Sequence, residues 1–430
     1  MICKNIKSNR VWSSKLDGPL DNILGLTEDE ICSLPTITEL FELIQYIQLS
    51  FNYNGGWQNS VSLSPFVGMP GIRAPYRAFL NDTDYDNFIL TRLNSGRFSL
   101  KPNLNSTPFL FRGQNKVYKK IEASFDRCDV DNKLISNLKY TDFYLLLKTH
   151  PLFRLFDAGI YLEGHKKPIF FEMNYYGLAQ HYGFNSGLID FTSDIGVASF
   201  FASSRWKGDD EYEVFDNEGK ASYGVIYVYE INPHISFIQH GFTTIGHQVF
   251  PRSGAQKGFL QNSDICDVNE LPNIWALPFR HDFMSNSQIF TAFDKGKTLF
   301  PEDGINDIAK EILQDNQVSL KAFAYNLYVN PSDDKTKNEE RCNRKGVIIN
   351  PNLNRVFNKE SLDYYYESIK QGWWFDFCEH IYFGDDDQSK LMKDALLKLP
   401  GNPYYEQYFN PEYYDLLYYH QVDDVRKSKR

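Results

Sequence analysis

Gly187-Leu188-Ile189-Asp190-Phe191-Thr192-Ser193-Asp194, running on into Ile195-Gly196-Val197-Ala198-Ser199-Phe200-Phe201-Ala202, decides the fold class. Its first half is a short apolar run of strand length. Thr192, Ser193 and Asp194 then supply the side-chain oxygens that cap helix N-termini, and Val197, Ala198, Phe200 and Phe201 follow as a face able to pack on a sheet. The spacing predicts a strand, a turn and a helix.

Two flanking stretches extend that unit into a sheet. Thr107–Gln114 reads as a short buried strand ending at a glycine turn, which leaves Arg112 and Gln114 near its carboxyl end. Tyr223–Ile231, rich in Tyr, Val and Ile and closed by Asn232-Pro233, reads as a central strand. Further strands are expected over Gly258–Gln261 and Ile274–Pro278. Thr36-Ile37-Thr38-Glu39 is a capping box ahead of a helix with Ile37, Leu40, Phe41, Ile44 and Ile47 on one face. Helices are also predicted within Leu134–Leu155, over Glu172–Tyr182 up to Gly183, and over Lys359–Gln371 and Gln388–Leu399.

The reading is an α+β protein with a mixed, split sheet flanked by helices, followed by a mostly helical C-terminal region. Residues 1–35 form an N-terminal extension and 36–329 the main domain. Residues 330–346, with Pro331, Asp333, Asp334 and interspersed Lys and Glu, have the composition of a charged loop or linker. Residues 347–430 are the aromatic-rich region. Gly113, Gly183 and Gly258 are expected at turns that need positive backbone dihedrals.

Bulk properties narrow the function. With 28 Tyr and 34 Phe in 430 residues, the chain can bury a strongly aromatic core. A net charge of −10 argues against electrostatic binding to bulk nucleic acid. The opening Met1-Ile2-Cys3-Lys4-Asn5 lacks a signal-like apolar run, and no stretch approaches the roughly 18 apolar residues of a membrane span, so a cytoplasmic protein without a membrane partner is expected. Six scattered cysteines include no C-x-x-C pair. Cys378-Glu379-His380 is not a zinc spacing, and Asp385-Asp386-Asp387 suits a helix N-terminus, so no metal is expected. The G-x-x-x-x-G-K-[ST] and G-x-G-x-x-G fingerprints are absent.

Three segments, in order, resemble the FRG-domain family: Phe111-Arg112-Gly113-Gln114; Leu178-Ala179-Gln180-His181-Tyr182-Gly183 with Leu188–Thr192 and Val197–Ala202; and Arg252-Ser253-Gly254-Ala255-Gln256-Lys257-Gly258-Phe259. With Phe279-Arg280-His281 and Leu299-Phe300-Pro301, the resemblance covers roughly Thr36 to Leu313. Phe184-Asn185-Ser186-Gly187 departs from the Pro-Thr-Arg-like turn usual there. The resemblance implies a bacterial toxin or phage-defence effector, with a phage component as a trigger.

The order of elements also looks like the ADP-ribosyltransferase fold. That second resemblance implies NAD as substrate and a protein or nucleic-acid acceptor. Arg112 would hold the dinucleotide, with Gln114 beside it, and Thr192 and Ser193 would fix the ribose. Gln256 stands where the class keeps a carboxylate, and a neutral amide supplies no negative charge to an oxocarbenium-like transition state. Glu230 and Asp190 are candidate carboxylates, and His181 is a candidate acid or base. A non-catalytic module binding a nucleotide, a nucleic-acid end or a phage protein is the alternative. A hydrolase using His181 and Asp190 is a third reading.

Overall fold

The structure is a computed structural model that describes residues 23–53, 88–92, 97–102, 109–159, 168, 170–208, 211–231, 239–245, 250–271, 274–301, 303–368, 381–382 and 387–398. In chain order the elements begin with α1 (Glu28–Cys32), α2 (Ile37–Tyr53), β1 (Phe88–Arg92), β2 (Phe98–Pro102) and β3 (Phe109–Gln114). Then come α3 (Val130–Leu147), α4 (Pro151–Ala158), α5 (Tyr175–His181), β4 (Leu188–Thr192) and α6 (Ile195–Ser203). The middle holds β5 (Ser204–Gly208), β6 (Glu211–Val214), β7 (Tyr223–Glu230), β8 (Phe242–Thr244), α7 (Arg252–Ala255), β9 (Gly258–Asn262), β10 (Ile274–Arg280) and α8 (Phe283–Ala292). The last are α9 (Asn306–Gln314), β11 (Gln317–Ser319), α10 (Leu320–Val329), α11 (Lys335–Arg344), β12 (Ile348–Asn350), α12 (Lys359–Ser368), β13 (Ile381–Tyr382) and α13 (Asp387–Leu397). No helix among the described residues is long and apolar enough to cross a membrane.

The chain divides into two compact units that interleave in sequence, unlike the end-to-end division expected from composition. The first takes 1–84, 101–124 and 187–302, and the second takes 85–100, 125–186 and 303–430. The first is built on a six-stranded sheet in the order β10-β7-β3-β4-β9-β8. Every neighbouring pair in it is antiparallel, which corrects the expected mixed sheet. The physical reason is the path of the chain beyond α6. It makes the β5–β6 hairpin and returns as β7 beside β3, so no β-α-β crossover lays a parallel strand against β4. A split remains in a different form, because β3 and β4 share a single paired position, Phe111 with Thr192.

Alternation along the strands separates two apolar cores. Leu110, Ile189, Phe191, Tyr227, Tyr229, Phe259 and Ile274 serve one face. Phe111, Ile226, Val228 and Phe279 serve the other, against Ile37, Leu40 and Ile44 of α2, Val197, Ala198 and Phe200 of α6, and Ile289 of α8. The capping box is present: Thr36 N donates to Glu39 Oε2 at 2.8 Å, and Glu39 N returns a bond to Thr36 Oγ1 at 3.4 Å. Arg280, at the end of β10, ties in the approach to this helix by donating from Nε to the Leu34 carbonyl and from its backbone N to that of Pro35.

Gly113 corrects another expectation, since its backbone is not in the positive-φ region. A Cβ there would lie 1.8 Å from the Ala198 carbonyl oxygen, so the residue exists to let α6 approach β3. Gly183 does have φ of +86°, as a turn requires. Near Gly258 the left-handed residue is its neighbour Lys257, at +46°.

The second unit corrects the expected linker at 330–346. Those residues contain α11, capped by Asp334, with Asn338 and Cys342 buried one turn apart. Its charges face outward or pair with acids: Arg344 reaches Asp131 and Lys345 reaches Asp129, each at 2.9 Å. A charged helix with one narrow buried stripe has the composition of a loop, which is why composition misled. Leu134, Leu138, Val318, Phe323, Cys342 and Val347 form the core beneath it. The helices expected within Leu134–Leu155 are α3 and α4, which part ahead of Pro151. Cys378, His380, Asp385 and Asp386 lie outside the described residues.

Gly113→Ala should therefore cost about 3 kcal/mol or more of unfolding free energy, because the contact to relieve is backbone on both sides. Gly187→Ala, whose Cβ would meet only Ser263 Oγ at 3.6 Å and Asp264 Oδ2 at 3.8 Å, should cost less than about 1 kcal/mol. Urea unfolding of both variants measures the difference.

Candidate functional site

Arg112 lies in β3, opposite Tyr227 of β7 in the register. It leaves the sheet on the face of Leu110 and Tyr227, partly buried, and its Nη1 donates to the Asp190 carbonyl at 2.9 Å. The acceptor is backbone, so the guanidinium bridges β3 and β4 just where their pairing stops. Gln114 follows on the same face by strand alternation, also partly buried. The next residue is fixed more firmly: Asn115 Nδ2 donates to the Ser204 carbonyl at 2.7 Å, and the Asn115 carbonyl meets His281 Nε2 at 2.9 Å.

The turn after β4 is tightly braced. Thr192 Oγ1 donates to the Gln256 carbonyl at 2.8 Å and accepts from Asp194 N at 3.1 Å. Asp194 caps α6 by accepting from Gly196 N at 2.8 Å, and it pairs with Lys257 at 2.9 Å. Ser193 N donates to the Lys257 carbonyl at 3.3 Å. Gln256 is buried and spends its side-chain amide on the Leu299 carbonyl at 3.1 Å. Thr192 and Gln256 thus meet as the sequence suggested, but through the bonds that hold the β4–α6 turn against the end of α7. The hydroxyl of Ser193 is buried with no hydrogen-bond partner among the described residues.

The carboxylates fall elsewhere. Glu230 pairs with Phe109 in the register, so it projects on the face opposite Arg112. Asp190 alternates with Ile189 and Phe191, and its exposed side chain also leaves from the side opposite Arg112. The first unit therefore brings Arg112, Gln114 and Tyr227 together and separates both acids from them. His181 ends α5 in the second unit, while Asp190 belongs to the first. Among the described residues, no group of three or more His, Cys, Asp or Glu is arranged to hold a metal.

Tyr227, opposite Arg112 in the register, does not stand out in the sequence, because a tyrosine in an apolar strand reads as core. Only the register with Arg112 reveals its position. His281, carried in the sequence by Phe279-Arg280-His281, is a buried imidazole stacked on Phe215 with centroids 4.1 Å apart. Its Nε2 faces a carbonyl and so carries the proton. Its Nδ1 accepts from Asn286 Nδ2 at 3.2 Å, and that amide also donates to the Phe215 carbonyl. Burial moves its pKa down to about 4.

Residues 107–211 match the FRG domain. The chain carries an FRG domain. The matched stretch runs from just before β3 to the first residue of β6, taking in Arg112, Gln114, His181, Asp190, Thr192 and Ser193. It leaves Glu230 and Gln256 outside, as it does Tyr227, and is shorter than the Thr36–Leu313 span of the resemblance. No curated protein and no solved structure matches the chain.

His281 predicts a pH dependence of stability. Its folded pKa lies below the unfolded value near 6.5, so the unfolded chain takes up the proton first. The stability is complete above about pH 6.5 and is lost as pH falls from there towards 4, by on the order of 3 kcal/mol. Buried His150, with its pKa pushed down to about 3, acts with the same sign in the second unit. His281→Gln, which retains a donor and an acceptor, should flatten the fall in urea midpoint between pH 7 and 4.5. An unchanged profile would assign that fall to other groups.

Proposed function

We propose that the FRG domain is a nucleotide-binding module whose ligand is NAD or its ADP-ribose part, held by Arg112. One observation carries this reading: Arg112 stands partly buried in an otherwise apolar strand, with Nη1 bonded to the Asp190 carbonyl, which fixes the direction of its guanidinium where the pairing of β3 and β4 stops. A guanidinium presents donors in a planar fork, and that fork matches phosphate oxygens. Gln114, beside it, offers an amide to a hydroxyl or a carboxamide.

Binding without turnover is the form that this geometry favours. ADP-ribosyl transfer would need a carboxylate near the ribose as positive charge develops, and neither Glu230 nor Asp190 leaves the sheet on the Arg112 face. Gln256 and Thr192 are occupied by the Leu299 and Gln256 carbonyls. Within a toxin or defence effector, such a module would couple the protein's activity to nucleotide supply, with a phage component or a macromolecular partner as the trigger.

Purified protein and its Arg112→Ala variant should be compared for NAD binding by calorimetry and for nicotinamide release with labelled NAD. The expected result is binding by the wild type, weakened ten- to a hundredfold in the variant as about 1.5–3 kcal/mol of charge-assisted bonding is lost, with no release by either. Release or label transfer that disappears in the variant would establish the transferase instead. Absence of nucleotide binding by the wild type would overturn the module.

A further inference from the structure

We draw no further inference here: the strongest candidate, the exposed surface stripe of Leu320, Ala324, Tyr328 and Val329 along α10 of the second unit, is an apolar helix face, and nothing in the structure shows what covers it.

Discussion

The approach of α6 to β3 sets the geometry of the first unit. With no side chain at position 113, the Ala198 carbonyl can sit where a Cβ would otherwise be, and α6 lies directly on the strand's backbone. The helix in turn delivers Val197, Ala198 and Phe200 to the core shared with α2 and α8. Its N-terminus is held by Asp194, which Lys257 braces from the far side of the turn. A contact of backbone against backbone tolerates little adjustment, because interiors are close-packed and neither partner has a rotamer to change.

That contact also determines what the opposite face can do. Gly113 turns one side of β3 over to helix packing, and the pleat then sends Leu110, Arg112 and Gln114 to the other side. Near the end of the strand, pairing with β4 lapses after a single position, and a long cationic side chain fills the place of ladder hydrogen bonds. The break in the ladder and the bond from Arg112 to the Asp190 carbonyl are one feature.

Much of this was legible in the sequence where the signal is local. The Thr36/Glu39 capping box, the β4–α6 unit and the long apolar strand β7 follow from residues a few positions apart, and the structure has each within a residue or two of its expected place. The features that were not legible depend on pairing between distant segments. The antiparallel sense of the sheet follows from where β7 returns, which no local pattern encodes. The β5–β6 hairpin, with Arg205, Trp206 and Lys207 exposed, lacks the buried face that marks a strand. In α11 the apolar signal shrinks to Cys342, and the turn above it is filled by a buried asparagine. Arg112 draws attention in the sequence because a charge in an apolar strand stands out, whereas Tyr227 in such a strand does not.

The same alternation bears on chemistry. Stabilising an oxocarbenium-like centre requires a negative charge within a few ångströms of the developing positive one, and the loss of such a group costs on the order of a hundred- to a thousandfold in rate. β7 has its one carboxylate at Glu230, three positions beyond the partner of Arg112. An odd separation along a strand always changes faces, so an adjustment that preserves the register leaves Glu230 on the helix side. Moving it to the Arg112 face would need a one-residue slip that also carries Tyr227 and Tyr229 out of their core. The apolar packing that stabilises β7 therefore holds its acid away from the guanidinium, and a site built around Arg112 on this sheet is better suited to holding a nucleotide than to breaking one.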